Sequence, residues 1–270
     1  MTKEEQKRFS FIEIMLTWQG RINSTHLCHY FGISRQSASK AINKYIALHP
    51  QSLHYDDSLK MHLATASFKL FYSSHDFSQY QRLISQGSAL TFGNITEISP
   101  PTRNPSPRLV QPILRAIDNK LAIDIGYTSL TSPKYTDRII EPHSLIFDGL
   151  RWHVRAFCRK NMNFRDFVLS RFNGEVVDEG KALQSVVADK LWHLELQICI
   201  QPDQRLSRAQ QQVIIDDYQM CKGVLQFKTR AALVNYVLKR MHLDQYQVDP
   251  CAQQIVLTKE CEEQVRPYCY

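Results

Sequence analysis

Paired cysteines, glycine-rich loops and long apolar runs are all missing from this 270-residue chain. Its seven cysteines (Cys28, Cys158, Cys199, Cys221, Cys251, Cys261 and Cys269) are odd in number and contain no C-x-x-C. That argues against a zinc site and against a disulfide framework, and reduced thiols in a cytoplasm are the simplest account. Only nine glycines are present, and no G-x-x-x-x-G-K-[ST] loop is among them. H-E-x-x-H and G-x-S-x-G are absent as well. Histidines, cysteines and acids show no spacing that selects a nucleophile or an acid/base pair, so neither an enzyme nor a cofactor or metal is expected. No run approaches the ~18 apolar residues of a membrane span, and the first residues lack the basic-then-apolar pattern of a signal peptide. No membrane partner is expected.

What is present is positive charge, in two places. The net charge is +7 and the pI about 9.0, which suits a polyanionic partner. Residues 1–70 carry nine Lys/Arg against five Asp/Glu. Residues 151–171 carry six cations (Arg151, Arg155, Arg159, Lys160, Arg165, Arg171) against Asp166 alone. Either centre could meet nucleic acid, and they need separate explanations.

The first centre reads as a helix-turn-helix over residues 24–49. Gly32 follows a short amphipathic run with Leu27, Cys28 and Phe31, and can close that helix in the left-handed conformation. Ser34 can then cap the next helix. Ala38, Ala41, Ile42, Tyr45 and Ile46 recur at helical spacing as its buried stripe, and Pro50 lies beyond its end. The opposite face carries Arg35, Gln36, Ser39, Lys40, Asn43 and Lys44, with no acid. Arg, Gln and Asn can pair with base edges, whereas Lys and Ser suit phosphates. The first-turn residues Arg35, Gln36 and Ser37 are the expected base readers. The sequences 53–55 and 60–63 flank Asp56-Asp57-Ser58 as a hairpin, the wing, from which Lys60 and His62 could touch phosphate. Phe9, Ile12, Met15 and Leu16 fit a first helix of the same module.

The chain then divides. After a short helix over Asp76–Ser85, the stretch Ser99–Pro107 holds four prolines in nine residues and reads as a stiff connector. A helix over Leu109–Asn119, with Pro112 in its first turn, precedes strand-like runs at 121–127, 138–147, 151–158 and 164–171. Short strands after one helix suggest a small twisted sheet or barrel. In residues 151–158 alternation puts Trp152, Val154 and Ala156 on one face, and Arg151, His153, Arg155 and Phe157 on the other. One face would meet the core and the other a site. Arg165, Phe167, Leu169 and Arg171 share a parity in the next strand, and arginines beside aromatics suit stacked bases and their phosphates. Cys158, near Arg155 and Arg159, is open to two readings: a redox-sensitive thiol or a packed strand-end residue. From residue 193 a β-α-β-α-β order reads as a separate α+β module, with Ser207 capping its first helix.

Residues 149–158 (GLRWHVRAFC), with 166–171 (DFVLSR) downstream, resemble a WYL domain. The order winged helix, WYL domain, C-terminal extension is that of WYL-domain transcriptional regulators, and the resemblance covers nearly the whole chain. It is close to the branch found beside bacterial phage-defence operons such as BREX and CBASS. The name-giving Trp-Tyr-Leu triplet is here Trp152-His153-Val154. The resemblance implies an α+β, multidomain chain. Its parts would be a winged helix-turn-helix domain with a linking helix (residues 1–95), a Pro-rich linker (96–108), an Sm/SH3-like β-barrel WYL domain that senses a ligand (109–190), and a C-terminal dimerisation extension (191–270). It further implies that Tyr127, His143, Trp152, His153, Arg155, Arg165 and Arg171 line or support the sensing site. The expectation is a homodimeric repressor on double-stranded DNA with a palindromic operator, answering to a nucleotide or oligonucleotide effector. The alternative is a single-stranded nucleic-acid or RNA-binding protein that uses the basic barrel.

Overall fold

The structure, a computed structural model, describes residues 1–86, 98, 101, 105–130, 133, 134 and 136–269. The chain divides into two compact units, Met1–Ile98 and Ser99–Tyr270. Most of the Pro-rich stretch lies outside the described residues.

In the first unit, α1 (Lys3–Gln19) starts at a reciprocal cap between Thr2 and Glu5 and stops at left-handed Gly20. Then come β1 (Arg21–Ile22), α2 (Ser24–Phe31, capped by the Asn23 side chain) and α3 (Arg35–Leu48, capped by Ser34). Gly32 closes α2 at φ 61°, the conformation that the sequence reading requires of it. The hairpin is β2 (Leu53–Asp56) and β3 (Met61–Ala64), and β1 joins its open edge to give the order β1-β3-β2. Helix α4 (Phe77–Gln86) packs on α1. Phe9, Ile12, Met15 and Leu16 of α1 meet Leu27 of α2 and Ala38, Ala41, Ile42 and Tyr45 of α3 in one buried core. One acid lies inside it. Glu13 is fully buried, and its carboxylate accepts from Tyr45 Oη (3.1 Å), the Phe71 and Tyr72 amides (2.9 and 2.8 Å) and Ser73 Oγ (3.0 Å). Four donors satisfy the charge, which is the condition for keeping a carboxylate in an apolar core.

The second unit opens with α5 (Pro107–Asn119), capped by Ser106. Pro107, not Pro112, holds the first helical position. Pro112 sits inside the helix rather than in its first turn. Five strands follow: β4 (Leu121–Tyr127), β5 (Thr136–Phe147), β6 (Trp152–Cys158), β7 (Asn163–Val168) and β8 (Phe172–Lys181). They pair antiparallel in the order β7-β6-β5-β4-β8. The ladder is open between β7 and β8, so the unit contains a twisted five-stranded sheet rather than a ring closed by hydrogen bonds. Two features escaped the sequence. The run expected to end at Arg171 breaks into a 3₁₀ turn at Leu169–Arg171, which ends the alternation that placed Leu169 and Arg171 with Phe167. β8 is mostly exposed and rich in Asn, Gly and acids, so it lacks the hydrophobic period of a strand. Between β5 and β6 the register shifts at Pro142/Ser144, leaving His143 as an extra bulged residue.

The short helix α6 (Lys190–His193) leads to the C-terminal module of the same unit. It contains β9 (Glu195–Pro202), α7 (Arg208–Asp217), β10 (Leu225–Arg230), α8 (Val234–Arg240), α9 (Pro250–Gln253), β11 (Ile255–Leu257) and α10 (Lys259–Val265). Its sheet has the order β10-β9-β11. Alternation in β9 buries Leu196, Ile198 and Ile200 against Ile214, Val234, Leu238 and Val265. Leu194 precedes the strand and is exposed. Among the described residues no helix is long and apolar enough to cross a membrane.

Candidate nucleic-acid interface and ligand pocket

Arg35, Ser39 and Asn43 recur every four residues along α3 and line a cleft of about 450 Å³. Tyr55, Lys60 and His62 of the wing form its other wall, with Asn23, Ser24 and Thr25 beside them. Tyr55 lies opposite His62 in the hairpin, ring centroids 4.9 Å apart, and is half exposed. Burial pushes the His62 pKa down, which favours the uncharged ring, and its buried Nδ1 has no protein partner among the described residues. Lys60 lies 3.7 Å from Asp57, with both side chains largely in solvent, a pair too exposed to hold it back from a phosphate.

The remaining expected contacts lie outside this cleft. Gln36, Lys40 and Lys44 are exposed, and Lys44 is tied back to α1 by an ion pair with Glu5. Ser34 is occupied locally: its hydroxyl caps the Ser37 amide (3.2 Å) and donates to Ser37 Oγ (3.0 Å). Asn23, Thr25 and Tyr55 went unread in the sequence because a polar residue at a cap or on a hairpin carries no sign of which cleft it faces.

The second basic centre is resolved differently. Both faces of β6 are covered, from His153 through Cys158. Val154, Ala156 and Cys158 enter the core of the sheet. Arg155, on the other face, is buried in a salt-bridge cluster. Its Nε donates to Asp189 Oδ2 (2.7 Å), one terminal nitrogen to Asp189 Oδ1 (3.1 Å) and the other to Asp166 Oδ1 (3.2 Å). His143, aimed by its bulge, donates through Nε2 to the same Asp189 (3.2 Å) and packs edge-on against Phe164 and Trp192. Burial alone would raise the Asp189 carboxyl. The bonds from His143 and Arg155 outweigh it and hold Asp189 far below the usual carboxylate range. Arg155 and His143 thus fasten residues 186–193 to the sheet. Trp152, which the resemblance puts at the sensing site, is 39% exposed at the strand end and leans on Phe147, centroids 5.0 Å apart. Arg165 is exposed and borders a separate hollow with Phe164 and Leu191. Cys158 is fully buried and contacts Asn161, and Arg155 and Arg159 are engaged by Asp189 and Glu141, which fits a packed thiol.

Three of the expected sensing residues do come together. Tyr127, His153 and Arg171 line a pocket of about 450 Å³, with Arg151, Asp148 and Asp166 beside them. Its far wall is α8, through Asn235, Tyr236, Lys239 and Arg240. Tyr236 Oη donates to Asp166 Oδ2 (2.9 Å) and lies 3.2 Å from His153 Nδ1. Burial, and then the Asp166 charge, push the Tyr236 phenol well up, so it stays protonated as the donor. His153 Nε2 donates to Asp148 (2.8 Å), which also accepts from Arg151 Nε (3.2 Å) and two backbone amides. Tyr127 lines the pocket from a nearly buried position, and its hydroxyl accepts from the Val168 amide (3.2 Å).

A winged helix with a basic, acid-free reader helix, joined to a sheet domain with a cation-lined pocket, defines a winged helix-turn-helix regulator of the WYL type. Comparison with known proteins agrees domain by domain. Residues 4–86 match the BrxR transcriptional regulator winged helix-turn-helix domain, residues 108–176 the WYL domain, and residues 195–265 the BrxR transcriptional regulator C-terminal dimerization domain. The chain is 32% identical to the DNA-binding transcriptional repressor CapW of Pseudomonas aeruginosa, over 97% of this chain and 91% of that protein. It is 30% identical to CapW of Escherichia coli, over 97% and 90%, and 32% identical to CapW of Stenotrophomonas maltophilia, over 96% and 90%. The chain belongs to the CapW family of DNA-binding transcriptional repressors, with winged-helix and dimerization domains of the BrxR type.

Proposed function

We propose that this protein is a homodimeric transcriptional repressor that binds an inverted-repeat operator through α3 and the wing, and that leaves it when an anionic ligand enters the sheet-domain pocket. The observation that carries the first half is the cleft itself. Arg35, Ser39 and Asn43 stand on one acid-free helix face opposite Tyr55, Lys60 and His62. Arg35 and Asn43 are the side chains there that can pair with base edges, and Lys60 suits the backbone. Two such helices in a dimer would enter successive major grooves roughly 34 Å apart. The family supports repression, and the matched C-terminal domain supports the dimer.

Arg171, Lys239 and Arg240 support the second half. They border the pocket, and none has an ion-pair partner among the described residues. Such cations suit a phosphate-bearing ligand, in keeping with a nucleotide or oligonucleotide. A ligand can release DNA only if it binds the DNA-competent and DNA-incompetent arrangements unequally. Control of a phage-defence operon rests on the resemblance to that branch of WYL regulators. The single-strand-binding alternative has less support, because Arg155, the central arginine of the basic strand, is spent on Asp189 and Asp166.

The test is fluorescence anisotropy with the protein's own upstream duplex against a scrambled duplex at equal salt. A preference of roughly a thousandfold or more is expected for an operator-specific repressor. Equal, steeply salt-dependent binding to both would reduce the winged helix to phosphate contacts and overturn the reading.

A further inference from the structure

The pocket is built by two domains, and the C-terminal one brings most of its free charge. On the sheet side, Asp148 accepts from Arg151 and His153, and Asp166 accepts from Arg155, which it shares with Asp189, and from the Tyr236 hydroxyl. Arg151 is thereby occupied, and Arg171 is the sheet's cation at the pocket without an ion-pair partner among the described residues. Lys239 and Arg240 border it from the last turn of α8, and both are exposed. The Arg240 guanidinium lies against the bare Cα of Gly149. A Cβ there would come 3.6 Å from the guanidinium carbon, and Gly149 itself holds a φ of +96°. A Cβ at that distance is ordinary van der Waals contact, so the φ of Gly149 rather than the space beside Arg240 calls for glycine.

We propose that Lys239 and Arg240 are ligand-binding residues, so that the phosphate-bearing effector is clamped between the sheet and α8 of the dimerization domain. This rests on the pocket being the effector site and adds which residues hold the effector. A volume of about 450 Å³ is in the range of sites for small ligands, and suits one end of an oligonucleotide rather than a long strand. Tyr236 is a positioning residue. By bonding Asp166 it keeps that carboxylate turned to protein donors and seats α8 on the sheet. The opposing structural role is that Lys239 and Arg240 only complement the helix dipole at the end of α8.

The experiment is binding of a 5′-fluorescein-labelled pentathymidylate to the full-length protein across a salt series, with inorganic phosphate as competitor. Wild type, Arg171→Ala, the double variant Lys239→Ala/Arg240→Ala, its conservative counterpart Lys239→Arg/Arg240→Lys, and Arg35→Ala as a reader-helix control are compared. The expected result is a loss of tenfold or more in affinity for Arg171→Ala and for the double alanine variant. The double alanine variant should also show a flatter salt dependence, by about 1.4 in log–log slope for two lost single-strand phosphate contacts. The conservative variant should bind as wild type does, melting temperatures should hold because Lys239 and Arg240 are exposed, and weaker binding by Arg35→Ala would place the probe on α3 and overturn the pocket reading. If Arg171→Ala weakens binding while the double alanine variant does not, the pocket reading stands and the two-domain clamp is wrong. If neither variant weakens binding, or if wild type fails to bind the probe at low salt, the pocket reading falls and the clamp with it. Inorganic phosphate competing as well as unlabelled pentathymidylate would assign the pocket to free phosphate and overturn the nucleotide part of the proposal.

Discussion

Arg155 Nε lies 2.7 Å from Asp189 Oδ2, and both side chains are almost wholly buried. The pair joins the basic strand β6 to the segment that leads into the dimerization domain. Arg155 is therefore a brace of the fold rather than a hand held out to a ligand. Removing one member of such a pair strands a buried charge, at a cost of about 3–5 kcal/mol. Asp189→Asn should lower stability by that order, read as a shift in the urea midpoint of the second unit. Asp189→Asn and Arg155→Met combined should cost less than the two single changes added together. Additive costs would mean that the two side chains do not act as a pair.

Glu13 plays a comparable part in the winged helix. Its carboxylate holds Tyr45 of α3 and the chain at residues 71–73 together from within the core. Glu13→Ala leaves four donors without their acceptor and should destabilise the first unit by about 3 kcal/mol or more. Tyr45→Phe deletes one of those bonds and should cost about 1 kcal/mol. Operator affinity of Tyr45→Phe should stay near wild type at temperatures where it is folded, because Tyr45 is buried and does not face the cleft.

On the reader helix the side chains should separate by role. Arg35→Ala should cost about 1–3 kcal/mol of operator affinity and relax preference at one base pair of each half-site. Lys40→Ala should weaken all duplexes alike and reduce the salt slope by about one. Lys44→Ala should change binding less than Lys40→Ala does, since Glu5 already engages Lys44. A selective loss from Lys40→Ala, with none from Arg35→Ala, would reverse the assignment of reader and anchor.

Acid should act on the winged helix through His26. Burial, then the charges of Arg21 and His29, push its pKa down to about 4 from an ordinary 6.5. The unfolded chain therefore takes up the proton first as pH falls through 6.5. Stability held at neutral pH is lost progressively down to about pH 4 and levels off below. Between pH 7 and pH 5 the loss should be on the order of 1–2 kcal/mol in urea titrations of the first unit. His26→Leu should flatten that dependence, and an unchanged slope would place its origin elsewhere. The depressed carboxyls of Asp148 and Asp189 act in a lower window. Their stabilisation is present above the ordinary carboxylate range and fades only as pH falls below it.

The winged helix was legible because each signal was local. The Gly32 stop, the Ser34 cap, the Ala38–Tyr45 stripe and the hairpin all arise within a few residues of one another, where period and turn chemistry suffice. The run from Leu121 to Tyr127 was read with its observed limits for the same reason. β8 was not legible, because an exposed strand of Asn, Gly and acids is made a strand by its neighbour β4 rather than by its own pattern.

The sequence by itself determined the domain order, the basic, acid-free face of α3 and the presence of a second cationic centre, since charge and periodicity are written along the chain. Only the tertiary structure decided which of those cations are free. It brought Asp189 to Arg155 across 34 positions, and Tyr236 to Asp166 across 70. An arginine's chemistry depends on whether a carboxylate reaches it, and a carboxylate so distant in the chain is found only by folding. For that reason the structure moved Arg155 and His143 from the pocket into the frame, and brought Lys239 and Arg240 to the pocket's edge.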